Sequence, residues 1–365
     1  MNNLSRPTMD INSSYDKISH DYSFNNSDDT DLAILLPILV TFIAIIMTTA
    51  MAGNLYIFYA IYRCRSLHKT SSFLIANLAV ADILTAIIVL PPMAYSAIQG
   101  KMLFNDTFCQ ISAYINYIIF GASLNTSITI TMDRFVAVLW PFRYERITTP
   151  SRTAFMISTS WLFPSIVAML PLLSLQRYGL GRYRYTNSTY YCGIDLHDYQ
   201  DNYLFNVISA ASILNSVAVV AIAYLFIFRV AYKKWVKSQQ KSIDIKGNKE
   251  ASLLRTVRTT ALIVGTNILC WLPAVIQVLI YTINPPNQLA NKVDVLGIIF
   301  VWLPYTNCAV NPIIYISSNS RLRNLVIKQW EYYRRNIMCF KFCHPRNKNV
   351  IGPWLTSEPS NSFHL

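Results

Sequence analysis

The sequence predicts an all-α membrane protein: a seven-transmembrane helix bundle with a C-terminal amphipathic surface helix. Three observations carry that expectation. The chain is 53% hydrophobic but only 13% charged, against roughly 25% charged residues in soluble domains. Its apolar residues gather in seven spans, at about 33–62, 71–99, 107–139, 153–174, 202–232, 257–283 and 293–316, most of them longer than the ~20 residues that a crossing helix needs. Its basic residues are unevenly shared between the two sets of connecting loops: 24 of the 31 lysines and arginines, Arg134 included, fall on one side. That bias places the N-terminus outside and the C-terminus inside. The net charge of +13 then reflects topology, and with no nucleic-acid-binding motif in the chain a nucleic-acid partner is not expected.

Residues 1–31 carry six aspartates against Arg6 and Lys17. So polar a segment cannot bury enough apolar surface to order itself, and it is expected to be a disordered extracellular N-terminus. It holds glycosylation sequons at Asn3, Asn12 and Asn25. No basic stretch followed by an apolar run opens the chain, so the first span is expected to act as the signal anchor.

Residues 32–317 form the expected transmembrane domain. Its organising stretch is the third span, which holds no charge between Cys109 and Asp133. Roughly 25 helical steps from Cys109 to Arg134 cover about 37 Å, more than the ~30 Å hydrocarbon core, so the thiol and the guanidinium lie at opposite faces. Pro91, Pro92, Pro164, Pro171, Pro273, Pro304 and Pro312 sit inside spans, where neighbouring helices can satisfy the freed carbonyls. Cys109 and Cys192 both fall on the outer side, where a disulfide can form and pin the loop 175–201 over the mouth of the third helix. In the chain-entropy model such a closure contributes about 4 to 5 kcal/mol. Cys64, Cys339 and Cys343 lie on the reducing side, while Cys270 and Cys308 are packing residues within spans. Asn105 and Asn187 are outer-loop sequons; Asn125 heads a third, mid-membrane, and is expected to stay bare.

Residues 318–336 place Leu322, Leu325, Val326, Trp330 and Tyr333 at helical spacing with basic residues opposite, the pattern of a helix lying on a membrane. Cys339 and Cys343 open the cytoplasmic tail, 337–365, as candidate palmitoylation sites.

Several short motifs fall on these spans in a fixed order. They are Gly53-Asn54 on the first, Leu78-Ala79-Val80-Ala81-Asp82 on the second, Cys109 and Asp133-Arg134-Phe135 at the two ends of the third, and Trp161 on the fourth. Tyr224 lies on the fifth, Cys270-Trp271-Leu272-Pro273 on the sixth and Asn311-Pro312-Ile313-Ile314-Tyr315 on the seventh. By these motifs the chain resembles the rhodopsin-like (class A) G-protein-coupled receptors from about residue 33 to 335. The resemblance implies that Asp133, Arg134 and Phe135 face the G protein and that Arg134 is held at rest. It also implies that Trp271 and Pro273 switch beneath the ligand, and that Tyr224 and Tyr315 meet through water beside Asn311 and Pro312. Asp82 is an ionisable group within a span and needs a partner. With Asn54, Ser123, Asn307 and Asn311 it resembles the family's sodium site, sodium being the one metal or allosteric ion expected; a hydrogen-bonded network without an ion is the alternative.

Departures from the family pattern are as informative. The acidic residue that often clasps Arg134 is Leu253, so ligand-free activity is expected. The fifth-span proline is Ser216, and the phenylalanine one turn before Trp271 is Asn267, which with Leu124 makes the core relay more polar. Asn116 stands where amine receptors carry an aspartate, although Trp302 and Tyr305 resemble the amine receptors' seventh helix. Tyr305 also occupies the position of the retinal lysine, which excludes an opsin. The loop 175–201 is rich in Tyr and Arg, with Arg182 and Arg184 as candidate ligand contacts. The expected pocket is therefore Asn116, Arg182, Arg184, Trp271, Trp302 and Tyr305. A peptide is the favoured ligand, with a small polar or amine-like molecule next.

A multi-pass transporter or channel is the alternative function, but the chain shows no internal repeat and no mid-membrane charge besides Asp82. No catalytic motif appears, and an enzyme is not expected. The expected partners are an extracellular ligand, a heterotrimeric G protein, arrestin and receptor kinases at the serines and threonines of the tail, and anionic lipids at the basic third inner loop.

Overall fold

The computed structural model describes residues 26–64, 70–102, 105–186, 189–194, 199–239, 261–262, 265–280, 295–318, 322–331 and 334. Expectations for Asn3, Asn12, Asn25, Asn187, Leu253, Cys339, Cys343 and the tail fall outside these residues. The chain divides into two units, Met1–Ser318 and Asn319–Leu365. In the second, residues 322–331 are helical, with Arg323, Lys328 and Trp330 among its side chains.

The first unit is built from α1 (Asn26–Arg63), α2 (Thr70–Gln99), α3 (Asp106–Leu139), α4 (Pro150–Met169), a two-stranded hairpin, α5 (Tyr199–Gln239), α6 (Gly265–Ile280) and α7. α7 joins Val295–Trp302 and Thr306–Ser318 through a tight 3₁₀ turn at Leu303–Tyr305. α1 begins at Asn26, inside the segment expected to be disordered. α1, α2, α4, α5 and α7 each contain a stretch long and apolar enough to cross a membrane. α3 is longer than most, at 34 residues, but is not among those five because its sequence is studded with Asn, Ser and Thr.

Local chemistry sets the ends and bends of these helices. Asn105 caps α3 by accepting from the Phe108 N–H at 3.0 Å. Thr149 caps α4, and Pro150 follows at the first helical position, where its missing N–H is no loss. Within α2, residues Thr85–Val89 open into a π-helical turn immediately before Pro91 and Pro92. A proline ring collides with the carbonyl four residues back, and the wider turn relieves that collision within α2 itself.

α3 lies against α2, α4, α5 and both strands of the hairpin, while α7 closes the bundle on α1 and α2. Outward faces are apolar: Ile38, Phe163, Ile222 and Phe228 are all more than half exposed, as side chains that meet lipid would be. Inward faces are small or polar. Gly53 admits Pro312, and Gly121 admits Pro164, so closely that a Cβ at either glycine would fall 2.6 or 2.3 Å from the proline Cβ. Small residues are what let membrane helices approach.

The hairpin pairs β1 (Tyr183–Thr186) with β2 (Tyr191–Ile194) in antiparallel register, Tyr185 opposite Cys192. The sequence's two outer cysteines are joined: Cys109 and Cys192 form a disulfide with Cα atoms 5.4 Å apart. Tyr183 is buried against Tyr117 and Phe205, and its hydroxyl donates to the Ala168 carbonyl at 2.8 Å. The approach to α5 is tied by the Arg182 N–H to Asn202 Oδ1 at 3.0 Å and the Phe205 N–H to the Gly179 carbonyl at 2.9 Å. The hairpin is thereby fixed to α3, α4 and α5.

Gly121→Ala should overpack the α3–α4 crossing. A cost of about 1 to 3 kcal/mol is expected, read as a fall of several degrees in the unfolding temperature of the purified protein, with Ser165→Ala as a partly buried control on the same helix pair.

Candidate functional site

A cavity of about 230 Å³ lies under the hairpin, between α3, α4, α5, α6 and α7. At its α3–α7 side Asn116, 5% exposed, donates through Nδ2 to the Tyr191 hydroxyl at 2.7 Å and to the Tyr305 hydroxyl at 2.9 Å. The Tyr305 hydroxyl returns a bond to Asn116 Oδ1 at 3.2 Å. Three elements thus meet in one polar triad. β2 brings Tyr191 there because its neighbour Cys192 is bonded to α3, and the 3₁₀ turn beside Pro304 brings Tyr305. Burial raises the Tyr191 phenol well above its ordinary range, with the neighbouring Tyr305 adding to the effect, so it stays protonated. Phe120 and Trp271 are in ring contact at the cavity wall. The α5 wall shows Asn206, Ser209, Ser212 and Ser216, at spacings that share one helix face. Ser212 and Ser216 donate back to the carbonyls four residues earlier, a bond open to them in hydrocarbon. No Asp, Glu, Lys, Arg or His is among the described residues of the wall.

Asn116, Trp271 and Tyr305 therefore line the cavity, as the sequence suggested. Trp302, Arg182 and Arg184 do not. Trp302 is buried, and its Nε1 donates to the Thr189 carbonyl at 3.2 Å, so it holds the hairpin. Arg184 sits on β1 between two inward tyrosines and is exposed; side chains alternate along a strand, and Tyr183 took the inner face. Arg182 lies just before β1 and is engaged through its backbone. From the same loop it is Tyr191 that reaches the cavity, through its bond to Asn116.

At the far end of α3, Asp133 is buried and uses both carboxylate oxygens. Oδ2 accepts from Arg134, from Nε at 2.9 Å and also from Nη2. Oδ1 accepts from the Tyr144 hydroxyl at 2.8 Å. Burial and then the Asp133 charge push the Tyr144 phenol up to about 12. Phe135 stands edge-on to Trp140 and Phe226, and Tyr224 joins the apolar group around Val138 and Ile227. The Tyr315 hydroxyl is buried with no hydrogen-bond partner among the described residues.

Between the two ends runs a chain of buried amides. Asp82, 2% exposed, accepts from Asn311 Nδ2 at 3.1 Å. Asn307 Nδ2 donates to Asn267 Oδ1 at 2.7 Å, so the polar substitute one turn before Trp271 links α6 to α7. Asn54 donates to the carbonyls of Ala50 and Cys308 at 2.9 and 3.0 Å, beside Asp82 in the sequence scheme but not bonded to it. The Ser123 carbonyl accepts from Ser127 Oγ at 3.0 Å. The amide oxygens of Asn307 and Asn311 are buried and have no hydrogen-bond partner among the described residues. A second node had no clear sequence signal. Asn77 donates to Thr126 Oγ1 at 2.7 Å and accepts from Trp161 Nε1 at 2.9 Å, joining α2, α3 and α4.

The sequence has counterparts among known proteins. The family described as "7 transmembrane receptor (rhodopsin family)" matches residues 53–315. The D(1A) dopamine receptor of Xenopus laevis is 27% identical over 351 residues, covering 85% of this chain and 74% of the relative. The 5-hydroxytryptamine receptor 4 of Cavia porcellus is 25% identical over 365 residues, covering 90% and 87%. The histamine H2 receptor of Homo sapiens is 26% identical over 300 residues, covering 81% and 79%. The chain belongs to the rhodopsin family of seven-transmembrane receptors, multi-pass plasma-membrane proteins that pass extracellular signals to G proteins and are not enzymes.

Proposed function

We propose that a small extracellular ligand enters the Asn116–Tyr191–Tyr305 cavity and, through α3 and α6, changes how Arg134 is held for a heterotrimeric G protein. The observation that carries this reading is a walled cavity at one end of α3 and a single buried carboxylate clasping Arg134 at the other. The cavity's volume falls below the ~300–1,000 Å³ of drug-sized sites and favours a small molecule over the peptide that the loop composition suggested. The names of the relatives, receptors for dopamine, 5-hydroxytryptamine and histamine, support that size class. The basic-loop bias supports an extracellular N-terminus, with Asn105 as a glycan acceptor in which Oδ1 is the capping atom. Arrestin, receptor kinases and anionic lipids are the remaining partners we assign to the Arg134 side.

The Asp82 cluster suits a sodium ion. A hard cation takes oxygen ligands with a carboxylate to balance it, and two buried amide oxygens, on Asn307 and Asn311, have no partner among the described residues. Asp82 would supply the charge and the amides the remaining oxygens, holding α2 and α7 together. A transporter reading finds no support in any interrupted helix pair with facing charges among the described residues.

A small-molecule screen read by G-protein activation should yield an agonist whose potency falls at least 100-fold in Ala210→Trp, which fills the cavity; an unchanged potency places the ligand elsewhere. Exchanging potassium for sodium at fixed ionic strength should raise the unfolding temperature of the purified receptor, and Asp82→Asn should abolish the difference. Tyr144→Phe removes a hydrogen bond to a buried carboxylate, worth about 1.5 to 3 kcal/mol, and should raise ligand-free output several-fold per receptor. The Tyr144 phenol is raised in the fold, so its contribution is complete below the ordinary ~10 and is lost only as pH climbs through about 12. Ligand-free output should therefore show no titration of this group between pH 6 and 9.

A further inference from the structure

We infer that the ligand group meeting Asn116 is uncharged, a hydroxyl or an amide, and that the cavity rejects the protonated amine for which the named relatives' ligands are built. The inference rests on the cavity reading above and sharpens it to a ligand class.

Among its described residues the cavity wall contains no ionisable carboxylate. Asn116 is neutral, and its amide hydrogens are both spent on the phenols of Tyr191 and Tyr305. The Tyr305 phenol gives its proton back to Asn116 Oδ1, so the triad carries no net charge. Burial keeps the Tyr191 proton in place, which removes a phenolate as counter-ion. An ammonium entering here would surrender its hydration to dipoles alone, and a buried ion without a partner is strongly disfavoured. A hydroxyl or amide loses far less water. It can donate to the free lone pairs of the phenols and of Asn116 Oδ1, groups that already have acceptor capacity left. Trp271 Nε1 adds a buried donor with no partner among the described residues, suited to an acceptor on the ligand. The aromatic faces of Tyr117, Tyr191, Tyr305 and Trp271 give a cation its one alternative, since a quaternary ammonium can be held by rings alone, and the test must include it.

The test uses matched triplets on one scaffold. Each pairs dopamine, 5-hydroxytryptamine or histamine with the analogue whose amine is replaced by a hydroxyl and with the trimethylammonium analogue. Binding is read on the purified full-length receptor by thermal shift and competition, and in cells by G-protein activation. In the wild type the hydroxyl member of at least one triplet should bind ten-fold or more tightly than its amine and its trimethylammonium partner. In Asn116→Asp the order should reverse in favour of the amine. Wild-type binding of either cation as tightly as the alcohol overturns the inference, as does failure of all three alcohols to bind; neither result depends on the variant folding. Ala210→Trp separates the two readings. If a preference for the cation is lost in Ala210→Trp, the cavity is the site and only the neutral class falls. If binding survives Ala210→Trp, the cavity reading itself falls.

Discussion

Hydrocarbon has no hydrogen bonds to offer, and that constraint arranges everything else in this molecule. A polar side chain left unpaired in such a medium costs several kcal/mol. α3 carries Asn116, Thr126, Ser127, Thr131 and Asp133, all buried, and a helix so constituted is stable only with other helices around it. Its place against α2, α4, α5 and the hairpin follows from its polarity rather than from its length. The same rule turns Asn77, Asp82, Asn307 and Asn311 inward and leaves isoleucines and phenylalanines on the outer faces.

A helix placed by its polar residues also connects what lies at its two ends. The Cys109 end is tethered to β2, and through Cys192 to Tyr191 and the cavity. The Arg134 end is governed by one carboxylate that serves a guanidinium with one oxygen and a phenol with the other. Between them Phe120 touches Trp271, and Asn267 joins Asn307, so a shift at the cavity has a direct path into α6 and α7. Packed interfaces tend to hold two arrangements rather than deform continuously, and the proposed signalling from the cavity to Arg134 relies on that property.

The departures from the family pattern fall along this same path. Asn116 replaces a charge with a neutral amide, Asn267 replaces a ring with an amide, and Ser216 replaces a proline with a hydroxyl. Two of the three have found partners within the fold: Asn116 in Tyr191 and Tyr305, and Asn267 in Asn307. Ser216 bonds back to its own helix. The relay is more polar than the family pattern and is still hydrogen-bonded at all three positions.

The sequence by itself determined the class of fold, the two cysteines on one side and the residues at the ends of α3. These depend on hydropathy and on charge counts, which are sums over a local stretch and survive without coordinates. It also singled out Asn116, Trp271 and Tyr305, which line one cavity, because their motifs sit at fixed helical depths. What only the tertiary structure decided was which partner each polar group took. Strand register put Tyr183 inward and Arg184 outward, and a disulfide on the adjacent residue aimed Tyr191 at Asn116 from 75 positions away. A π-helical turn formed over Thr85–Val89, just ahead of Pro91 and Pro92. Asn77 met Thr126 and Trp161 only once three helices had closed. Pairings of that kind are set by the geometry of assembly, and a one-dimensional pattern of polar and apolar letters does not contain it.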